Sequence, residues 1–343
     1  MSKKIGVMGC GNVAGYGHLP AIRDVEGLEI GALFDPDSAV VAEMAERFHV
    51  PPERACTDEK TFFAADLDGV LISSPAPAHE VNVEAAAAAG LPILCEKPLS
   101  MDKAQGRRMI TAAAAAGVPL YVAFCYRFSK AALRIKQLID EGAIGEVRGL
   151  RLIYVWDCHG KFNHRDPTQG IAPHRDGRMR EGGPMVDCGT HQIDLAQWWT
   201  GSPIVRAAGH GAWIDHADYE APDHTWAQLT HENSAHTCVE IGYSYGHTAR
   251  QPESVFQYEI IGTDGLILYD RNRSRFELRN ASGTHPQEYH EEKGFDDMHR
   301  AFARALHTGR PGDLPTAEEG LRVTDLATDV TAQAIASRQG AGV

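Results

Sequence analysis

The sequence predicts an α/β protein with two sheets, and two observations carry this prediction. Up to about residue 124, short apolar runs alternate with strong helix formers, which is typical of a doubly wound parallel sheet. Beyond Tyr126, apolar residues recur at every second position, which favours a large, open, mostly antiparallel sheet in a second α/β domain. We therefore expect one domain over residues 1–124 and another over residues 125–343, whose C-terminal helix could pack back on the first.

The composition is that of an ordinary soluble globular protein, with 43% hydrophobic and 23% charged residues. A chain of 343 residues exceeds the usual domain size of about 150 residues, which again favours two domains. The formal net charge of −13 disfavours nucleic acid and anionic membranes as partners, because both would repel the chain.

The seven cysteines are scattered, odd in number and without CxxC spacing. This pattern indicates reduced thiols rather than disulfides or a structural zinc site, and we expect a cytoplasmic protein. The N-terminus lacks the uninterrupted apolar stretch of a signal peptide, and no run is long enough for a transmembrane helix. The cysteines are Cys10, Cys56, Cys95, Cys125, Cys158, Cys188 and Cys238.

Five apolar runs in the first domain are predicted strands, and the segments between them are predicted helices. The runs are KIGVMG, LEIGALFD, GVLISS, LPILCE and VPLYVAF, and the helical segments are AVVAEMAERF, VNVEAAAAAG and AQGRRMITAAAAAG. Glycine or proline closes most of these helices. The alternation predicts parallel βαβ units.

The second domain begins with one helical segment, AALRIKQLIDEG, and continues with alternating strands. These strands are EVRGLRLIYVWD, TWAQLTHE, HTCVEIGYSYG and FQYEIIGTDGLILYD. Turn-forming residues from Gly262 to Gly265 divide the last one into a hairpin. Thr316 and Glu319 stand at capping-box spacing, so a terminal helix is predicted from there to Gly340.

A glycine-rich loop follows the first predicted strand directly. Gly9, Gly11 and Ala14 form a GxGxxA pattern, whose small residues let the backbone approach a pyrophosphate at a helix N-terminus. Asn12 and Val13 lie inside the loop and are expected to contact the same group. Its place at the start of a βαβ unit indicates dinucleotide binding rather than a tight turn alone.

Asp35 ends the second predicted strand, 21 residues after Ala14. An acid at this point accepts hydrogen bonds from the adenosine ribose hydroxyls and repels the 2′-phosphate of NADP. The surrounding segment FDPDSAV contains no arginine that could neutralise that phosphate. NAD is therefore the expected cofactor, and NADP is disfavoured.

In the stretch GLPILCEKPLS, a predicted buried strand is followed directly by two opposite charges and a proline, namely Glu96, Lys97 and Pro98. Ligands of an open α/β sheet sit beyond the carboxyl ends of its strands, so Lys97 would lie beside the nicotinamide. There it could hold a substrate hydroxyl or carbonyl oxygen, while Pro98 fixes the turn, including through a cis bond. A surface lysine paired with Glu96 is the alternative.

The segment GGPMVDCGTHQIDLAQWW predicts a helix that begins near its proline. Asp187 and His191 are four residues apart, so they would share one face of it. Histidine is the natural proton acceptor near neutral pH, and a nearby carboxylate would orient its ring. Taken alone, a helix-capping Asp187 and a satisfied, partly buried His191 would be the simpler interpretation.

Together these motifs resemble the Gfo/Idh/MocA oxidoreductases, a family that includes glucose-fructose oxidoreductase and inositol dehydrogenase. The resemblance covers nearly the whole chain, and Glu-Lys-Pro after a strand combined with Asp-x-x-x-His is specific to the family. The matching pieces are GCGNVAG, SSPAPAHEVNVEAAAAAGLPILCEKPL, YRF, GGPMVDCGTHQIDLAQWW and EIIGTDGLI with the terminal helix. The resemblance implies a Rossmann domain, an α/β domain with an open sheet, nicotinamide chemistry on a sugar or polyol, and homodimers or homotetramers built through the sheets.

The resemblance also implies roles for single residues. Lys97 matches the family's catalytic lysine, and Asp187 and His191 match its acid and histidine. His191 is expected to be the general base on the hydroxyl being oxidised, with Lys97 holding the same oxygen and Asp187 tuning the histidine. The roles of Lys97 and His191 could be exchanged. Positions that match the lining of the nicotinamide half of the cofactor site are Ser74, Pro75, His79 and Glu96, with Lys97 beside them.

Two further residues are added to the predicted site, and one histidine is excluded from it. His18 is excluded because the spacing before this histidine is one residue longer than is common in the family. Arg127, in the YRF motif, is an expected substrate contact. Trp156 is another, since its ring could supply an apolar face for a sugar.

Residues 158–181 show little periodicity and are predicted to form a long loop that contacts the substrate. Its basic side chains could bind a polar or anionic ligand, and their irregular spacing disfavours a metal site, so no metal is expected. A solvated loop is the alternative. The basic residues are His159, His164, Arg165, His174, Arg175, Arg178 and Arg180.

Three functions are compatible with these features. The predicted one is an NAD-dependent dehydrogenase or reductase that acts on a sugar, cyclic polyol or sugar derivative. The second is a redox-neutral enzyme that oxidises its substrate transiently, cleaves a glycosidic bond and returns the hydride. The third is a non-catalytic NAD sensor, which the presence of Lys97, Asp187 and His191 together disfavours.

Overall fold

The computed structural model describes residues 2–156, 173–214, 218–244 and 253–340 of the chain. The chain forms two compact units. Unit 1 consists of Met1–Phe128 and Lys293–Thr324, and unit 2 consists of Ser129–Glu292 and Asp325–Val343. One unit carries a parallel sheet and the other a mostly antiparallel sheet, which confirms the predicted fold class.

Unit 1 contains a six-stranded sheet in which all neighbouring strands are parallel. The order across the sheet is β3-β2-β1-β4-β5-β6, the doubly wound Rossmann arrangement. Its two-residue strand β3 is too short to give a periodic pattern, whereas the other five match the predicted runs. The strands are β1 (Lys3–Met8), β2 (Leu28–Phe34), β3 (Ala55–Cys56), β4 (Gly69–Ile72), β5 (Ile93–Cys95) and β6 (Leu120–Val122).

Five helices connect these strands, and aspartate side chains cap three of them. Asp37, Asp58 and Asp102 each accept a hydrogen bond from a backbone N–H of the first helical turn, which satisfies donors that a helix start leaves open. Gly117 ends the last of the five in the left-handed conformation that glycine adopts without strain. The helices are α1 (Leu19–Asp24), α2 (Ser38–Arg47), α3 (Glu59–Phe63), α4 (His79–Ala88) and α5 (Lys103–Ala116).

Unit 2 is built on an eight-stranded sheet with the order β14-β13-β12-β11-β7-β10-β9-β8. Every neighbouring pair is antiparallel except β7 with β10. Strands β11 and β12 form the predicted hairpin. The strands are β7 (Val147–Val155), β8 (Ile204–Ala212), β9 (His224–His231), β10 (His236–Gly242), β11 (Val255–Gly262), β12 (Gly265–Asp270), β13 (Arg275–Asn280) and β14 (Gly283–Pro286).

Unit 2 has one helix before β7, α6 (Lys130–Asp140), and two described helices between β7 and β8, α7 (Pro173–Arg180) and α8 (Thr190–Thr200). The prediction of a loop through residue 181 is wrong where α7 lies, and its part from 158 to 172 falls outside the described residues. Charged residues hide the helical period of α7, but its Asp176 and Arg180 form an i,i+4 ion pair at 2.7 Å.

Two helices close the chain, α9 (Phe295–Thr308) in unit 1 and α10 (Ala317–Gly340), whose residues are shared between the units. The predicted capping box at the start of α10 is present. The Thr316 N–H donates to Oε2 of Glu319 at 2.8 Å, and the Glu319 N–H donates to Oγ1 of Thr316 at 3.3 Å. The terminal helix therefore begins where its sequence predicts.

Strand β8 has no counterpart among the predicted strands, because its sequence IVRAAGHGA contains few large apolar residues. The structure shows why small residues occur there. A Cβ atom at Gly209 would lie 2.1 Å from the carbonyl oxygen of Val330 in α10. Glycine therefore allows this helix to pack directly on the strand.

Candidate active site

The glycine-rich loop connects β1 to a helix that begins at Asn12. Gly9 has a φ of +91°, and a Cβ atom there would lie 2.4 Å from the backbone nitrogen of Ser74, so only glycine fits. A Cβ atom at Gly11 would meet nothing within 4 Å. Asn12 is exposed and Val13 half-buried in the first helical turn. The loop thus leaves open space at a helix N-terminus, which fits the pyrophosphate of NAD.

The carboxylate of Asp35, directly after β2, is held by two backbone N–H groups. Cys10 donates to its Oδ2 at 2.9 Å, and Asp37 donates to its Oδ1 at 3.0 Å. Each carboxylate oxygen has a further acceptor site, so ribose hydroxyls can still bind. The acid is therefore fixed next to the glycine-rich loop, as the motif predicts.

The turn after β4 contains three residues expected on the nicotinamide side. The Ser74 hydroxyl donates to Oδ1 of Asn82 at 2.7 Å, and Pro75 is exposed. The buried His79 ring lies 2.9 Å from the carbonyl oxygen of Ser74 and 3.2 Å from that of Leu99. Burial lowers the pKa of His79, and its neutral ring has one N–H, so it donates to one of these two carbonyl oxygens at a time.

Glu96, directly after β5, is buried and its two carboxylate oxygens both have partners. The Lys97 N–H donates to Oε2 at 3.0 Å, and Nε2 of His18 lies 2.9 Å from Oε1. The Lys97–Pro98 peptide bond is cis, as the sequence analysis allows. The Glu96 carboxylate therefore fixes the backbone from which the half-buried Lys97 side chain extends.

His18 was left out of the predicted site, but it contacts Glu96. The helix that begins at Asn12 contains a π-helical turn, Ala14–His18, and this turn places His18 beside Glu96. A π turn accommodates one additional residue without ending the helix, and such turns are frequent at functional sites. The additional residue before His18 is the signal that could have identified this contact, had it been interpreted as a π turn.

A second histidine, His299 of α9, continues the series of polar contacts that runs from Glu96 to His18. Its Nε2 lies 3.0 Å from Nδ1 of His18, and its side chain is fully buried. Burial and the nearby His18 lower the pKa of His299 well below its ordinary value, so the ring is neutral at physiological pH. When His18 is neutral and donates to Glu96, His299 must donate to His18. Sequence reasoning gave no sign of His299.

In unit 2, Asp187 lies in another π-helical turn, Met185–Gly189, which leads into α8. Its Oδ2 accepts from Nη1 of Arg178 at 3.1 Å and from the Tyr243 hydroxyl. His191 follows on α8 and is buried. Asp187 and His191 thus lie on one continuous helical segment, and Arg178 and Tyr243 add an ion pair and a hydrogen bond to the acid.

Trp156, at the end of β7, belongs to the same cluster as Asp187. The guanidinium carbon of Arg178 lies 5.9 Å from the centre of its ring, and Tyr243 packs edge-on at 5.9 Å. Arg127 lies instead in unit 1, buried in the turn Cys125–Phe128 after β6. The structure therefore places Trp156, but not Arg127, in the unit that contains Asp187.

Within the described residues, no group of three or more histidine, cysteine, aspartate or glutamate side chains could hold a metal ion. In the same part of the chain, no helix is both long and apolar enough to cross a membrane. The described cysteines are free thiols, and Cys158 lies outside the described residues.

Comparison with known proteins identifies both parts of the chain. Residues 3–124 match the oxidoreductase family with an NAD-binding Rossmann fold, and residues 132–268 match the Gfo/Idh/MocA C-terminal domain. The chain belongs to the Gfo/Idh/MocA oxidoreductase family. The predicted family, the oxidoreductase class and the NAD cofactor are thereby confirmed.

Curated relatives and solved structures agree with this assignment. D-apiose dehydrogenase of Paraburkholderia graminis is 30% identical over 281 residues, which cover 81% of this chain and 70% of that protein. Inositol 2-dehydrogenase 2 of Saccharopolyspora erythraea is 32% identical over 301 residues, 81% of each chain. Aldose-aldose oxidoreductase of Caulobacter crescentus shares the fold, with a TM-score of 0.82 at 21% identity over 99% of this chain and 98% of that one.

Replacing Asp35 by Ser should weaken NAD binding about 10- to 100-fold, because a charged acceptor for the ribose hydroxyls is lost. NADP binding should weaken less or improve, since the repulsion of its 2′-phosphate is also lost. Dissociation constants of both cofactors, measured by calorimetry, check this. Asp37→Ser, two residues away, removes the same charge and should leave the NAD preference intact. Equal binding of NAD and NADP by the unmodified protein would contradict the role of Asp35.

The free energy of unfolding should fall as pH is lowered below about 6.5, by up to about 1.4 kcal/mol per pH unit for each buried neutral histidine. Lower pH favours the unfolded state, because the unfolded histidine gains a proton that buried His299 cannot accept. His299→Gln should therefore flatten this slope between pH 7.5 and 5.5 in urea titrations. His210→Gln, at an exposed position of β8, should not. An unchanged slope in His299→Gln would show that His299 does not resist protonation.

Proposed function

We propose that the protein is an NAD-dependent dehydrogenase or reductase that transfers a hydride between the nicotinamide and a sugar, cyclic polyol or sugar derivative. The observation that carries this proposal is the turn after β5, where buried Glu96 fixes the backbone of Lys97 at the carboxyl edge of the parallel sheet. The substrate class is supported by the relatives named for D-apiose and inositol.

In this proposal, the two units have different roles. Unit 1 binds NAD, and unit 2 provides most of the substrate contacts, among them Trp156. NAD supplies the hydride acceptor when it is bound. The cofactor-binding residues of this proposal are Gly9, Gly11, Asn12, Val13, Asp35, Ser74, Pro75, His79, Glu96 and Lys97.

In this proposal, Lys97 donates a hydrogen bond to the oxygen of the reacting carbon and stabilises the negative charge that develops there. His191 of unit 2 takes up the hydroxyl proton, and Asp187 stabilises the charged ring. Arg178 forms a 3.1 Å ion pair with Asp187 and so helps to hold its carboxylate in place. The assignment in which Lys97 takes the proton and His191 holds the oxygen uses the same groups.

We also propose that the protein is a homodimer or homotetramer built through the sheet of unit 2. On β11, Phe256, Tyr258 and Ile260 are buried, whereas the alternate residues are half-buried or exposed, including Ile261 at 48%. One face of the sheet is thus covered within the unit, and the other could pair with a second copy. A monomeric mass in light scattering would contradict this.

A cytoplasmic location is proposed as well, since the buried free thiols suit a reducing compartment. Recovery of the protein with the periplasmic or secreted fraction of its native cells would contradict it.

Lys97→Met should retain the fold and most of the NAD affinity, while NADH formation falls by at least about 100-fold, because the donor to the reacting oxygen is lost. The measurement is NADH absorbance with a panel of polyols, aldoses and glycosides, together with product analysis. Lys60→Met, an exposed lysine of α3, is the matched control and should behave as the unmodified protein.

Each outcome of this panel decides between the candidate functions. Normal turnover in stable, NAD-binding Lys97→Met would remove Lys97 from the mechanism. Release of an aglycone without net NADH would instead support the redox-neutral glycoside-cleaving function.

A further inference from the structure

Three buried polar side chains of unit 1 form a continuous series of contacts. Glu96 follows β5, His18 lies on the helix that begins at Asn12, and His299 lies on α9. Oε1 of Glu96 lies 2.9 Å from Nε2 of His18, and Nδ1 of the same ring lies 3.0 Å from Nε2 of His299. The central ring therefore uses both of its nitrogens.

The orientation of the His18 ring follows from its packing. The His299 ring lies nearly perpendicular to it, at 89° with 5.2 Å between the ring centres. The Phe295 ring packs against it edge-on, at 79° with 5.0 Å between the centres. Turning the His18 ring over by 180° would put a carbon atom in the place of each nitrogen, and both polar contacts would be lost. The two ring nitrogens are therefore assigned by their partners.

The proton between the two histidine rings can be placed by elimination. Nδ1 of His299 is buried and has no hydrogen-bond partner among the described residues. If His18 donated to His299, the neutral His299 ring would carry its one proton on Nδ1, as a buried N–H without an acceptor. Such an N–H is rare in folded proteins and costly, whereas an unused lone pair is tolerated more often. His299 therefore donates from Nε2 to Nδ1 of His18.

The same argument excludes the other protonation states of the series. A cationic His18, or a His18 that accepts from a protonated Glu96, would have to donate to His299 and would leave the same unpaired N–H. A cationic His299 would carry that N–H as well, and burial and the nearby His18 lower the pKa of its ring. In the remaining arrangement, His18 is neutral and donates from Nε2 to Oε1 of Glu96.

We propose that His299 is a positioning residue of the reaction, because its Nε2–H keeps the proton of His18 on the nitrogen that faces Glu96. A neutral imidazole without this partner interconverts between two tautomers, and one of them turns a lone pair toward the carboxylate. That tautomer would repel Oε1, so Glu96 would turn and loosen its hold on the Lys97 N–H. The inference rests on the function proposed above, in which Lys97 contacts the reacting oxygen.

The tautomer of His18 can be measured by NMR on protein labelled with ¹⁵N in its histidine rings. Two-bond correlations between ring protons and ring nitrogens show which nitrogen carries a proton, and His18→Gln and His299→Gln assign the signals by their loss. We expect His18 and His299 each to carry a single proton, on Nε2, near neutral pH. A cationic His18, or a His18 with its proton on Nδ1, would overturn the proposal on the unmodified protein alone.

Two replacements of His299 separate hydrogen bonding from packing. His299→Gln retains an N–H donor for Nδ1 of His18, whereas His299→Met has similar bulk and no donor. The His18 tautomer and the backbone amide signal of Lys97 should change in the Met variant and stay close to the original in the Gln variant. A packing role predicts the opposite order, because Met suits a buried site better than Gln. Unchanged signals in folded His299→Met would also overturn the proposal.

Turnover measures the consequence for the reaction, with saturating NAD and an accepted polyol or sugar. In His299→Met, kcat should fall about tenfold, and His299→Gln should lie between it and the unmodified protein. KM and the NAD dissociation constant should change less than kcat, because His299 affects the position of Lys97 and binds neither ligand in this proposal. Phe302→Leu, at another buried position of α9, is the packing control and should lower the melting temperature but not kcat. An equal loss of kcat in Phe302→Leu would assign the effect to packing and overturn the proposal.

The two kinds of measurement separate this proposal from the proposed function. Normal kcat in His299→Met would overturn the positioning role of His299 and leave the dehydrogenase function intact. If no polyol or sugar yields NADH, the dehydrogenase function fails. The His18 tautomer and the amide signal of Lys97 then still decide whether His299 fixes that part of the backbone.

Discussion

The buried carboxylate of Glu96 is the interaction on which the candidate site of unit 1 depends. A carboxylate removed from water costs several kcal/mol unless its oxygens are satisfied. Here one oxygen binds the Lys97 N–H and the other the His18 ring. Both partners must be in place together, so the carboxylate selects one arrangement of the turn after β5 and of the helix that carries His18. The direction in which Lys97 leaves the backbone follows from that arrangement.

Much of the fold could be predicted from the sequence, because a long segment with a clear hydrophobic period indicates its own secondary structure without reference to the rest of the chain. The hairpin β11–β12, the helix α5 and the capping box of Thr316 and Glu319 are such elements. Strand β8 is different, since its small residues make sense only beside α10, which lies more than one hundred residues later. Helix α7 could not be predicted either, because its polar sequence has no apolar face to reveal the helical period.

The candidate site also contains some residues that the sequence predicts and others that only the structure identifies. The glycine-rich loop, Asp35 and Lys97 stand at fixed distances from strand ends, so their neighbourhood is encoded locally. His18 lies 78 residues from Glu96 and 281 residues from His299, and only the tertiary structure brings them together. Both motif-bearing helices also contain π turns, which change the face that a given spacing presents. The family spacing on which His18 was left out of the predicted site takes no account of such a turn.

The most direct test of the account is NAD-dependent turnover of Glu96→Gln with an accepted substrate, both ligands being saturating. An amide keeps the size of the side chain but presents N–H donors to the Lys97 N–H or to the His18 ring, so the turn should shift. A displacement of about 1 Å at a reacting group costs about 100-fold in rate, and the account predicts a loss of at least that size in a variant that remains folded. Turnover close to that of the unmodified protein would contradict it.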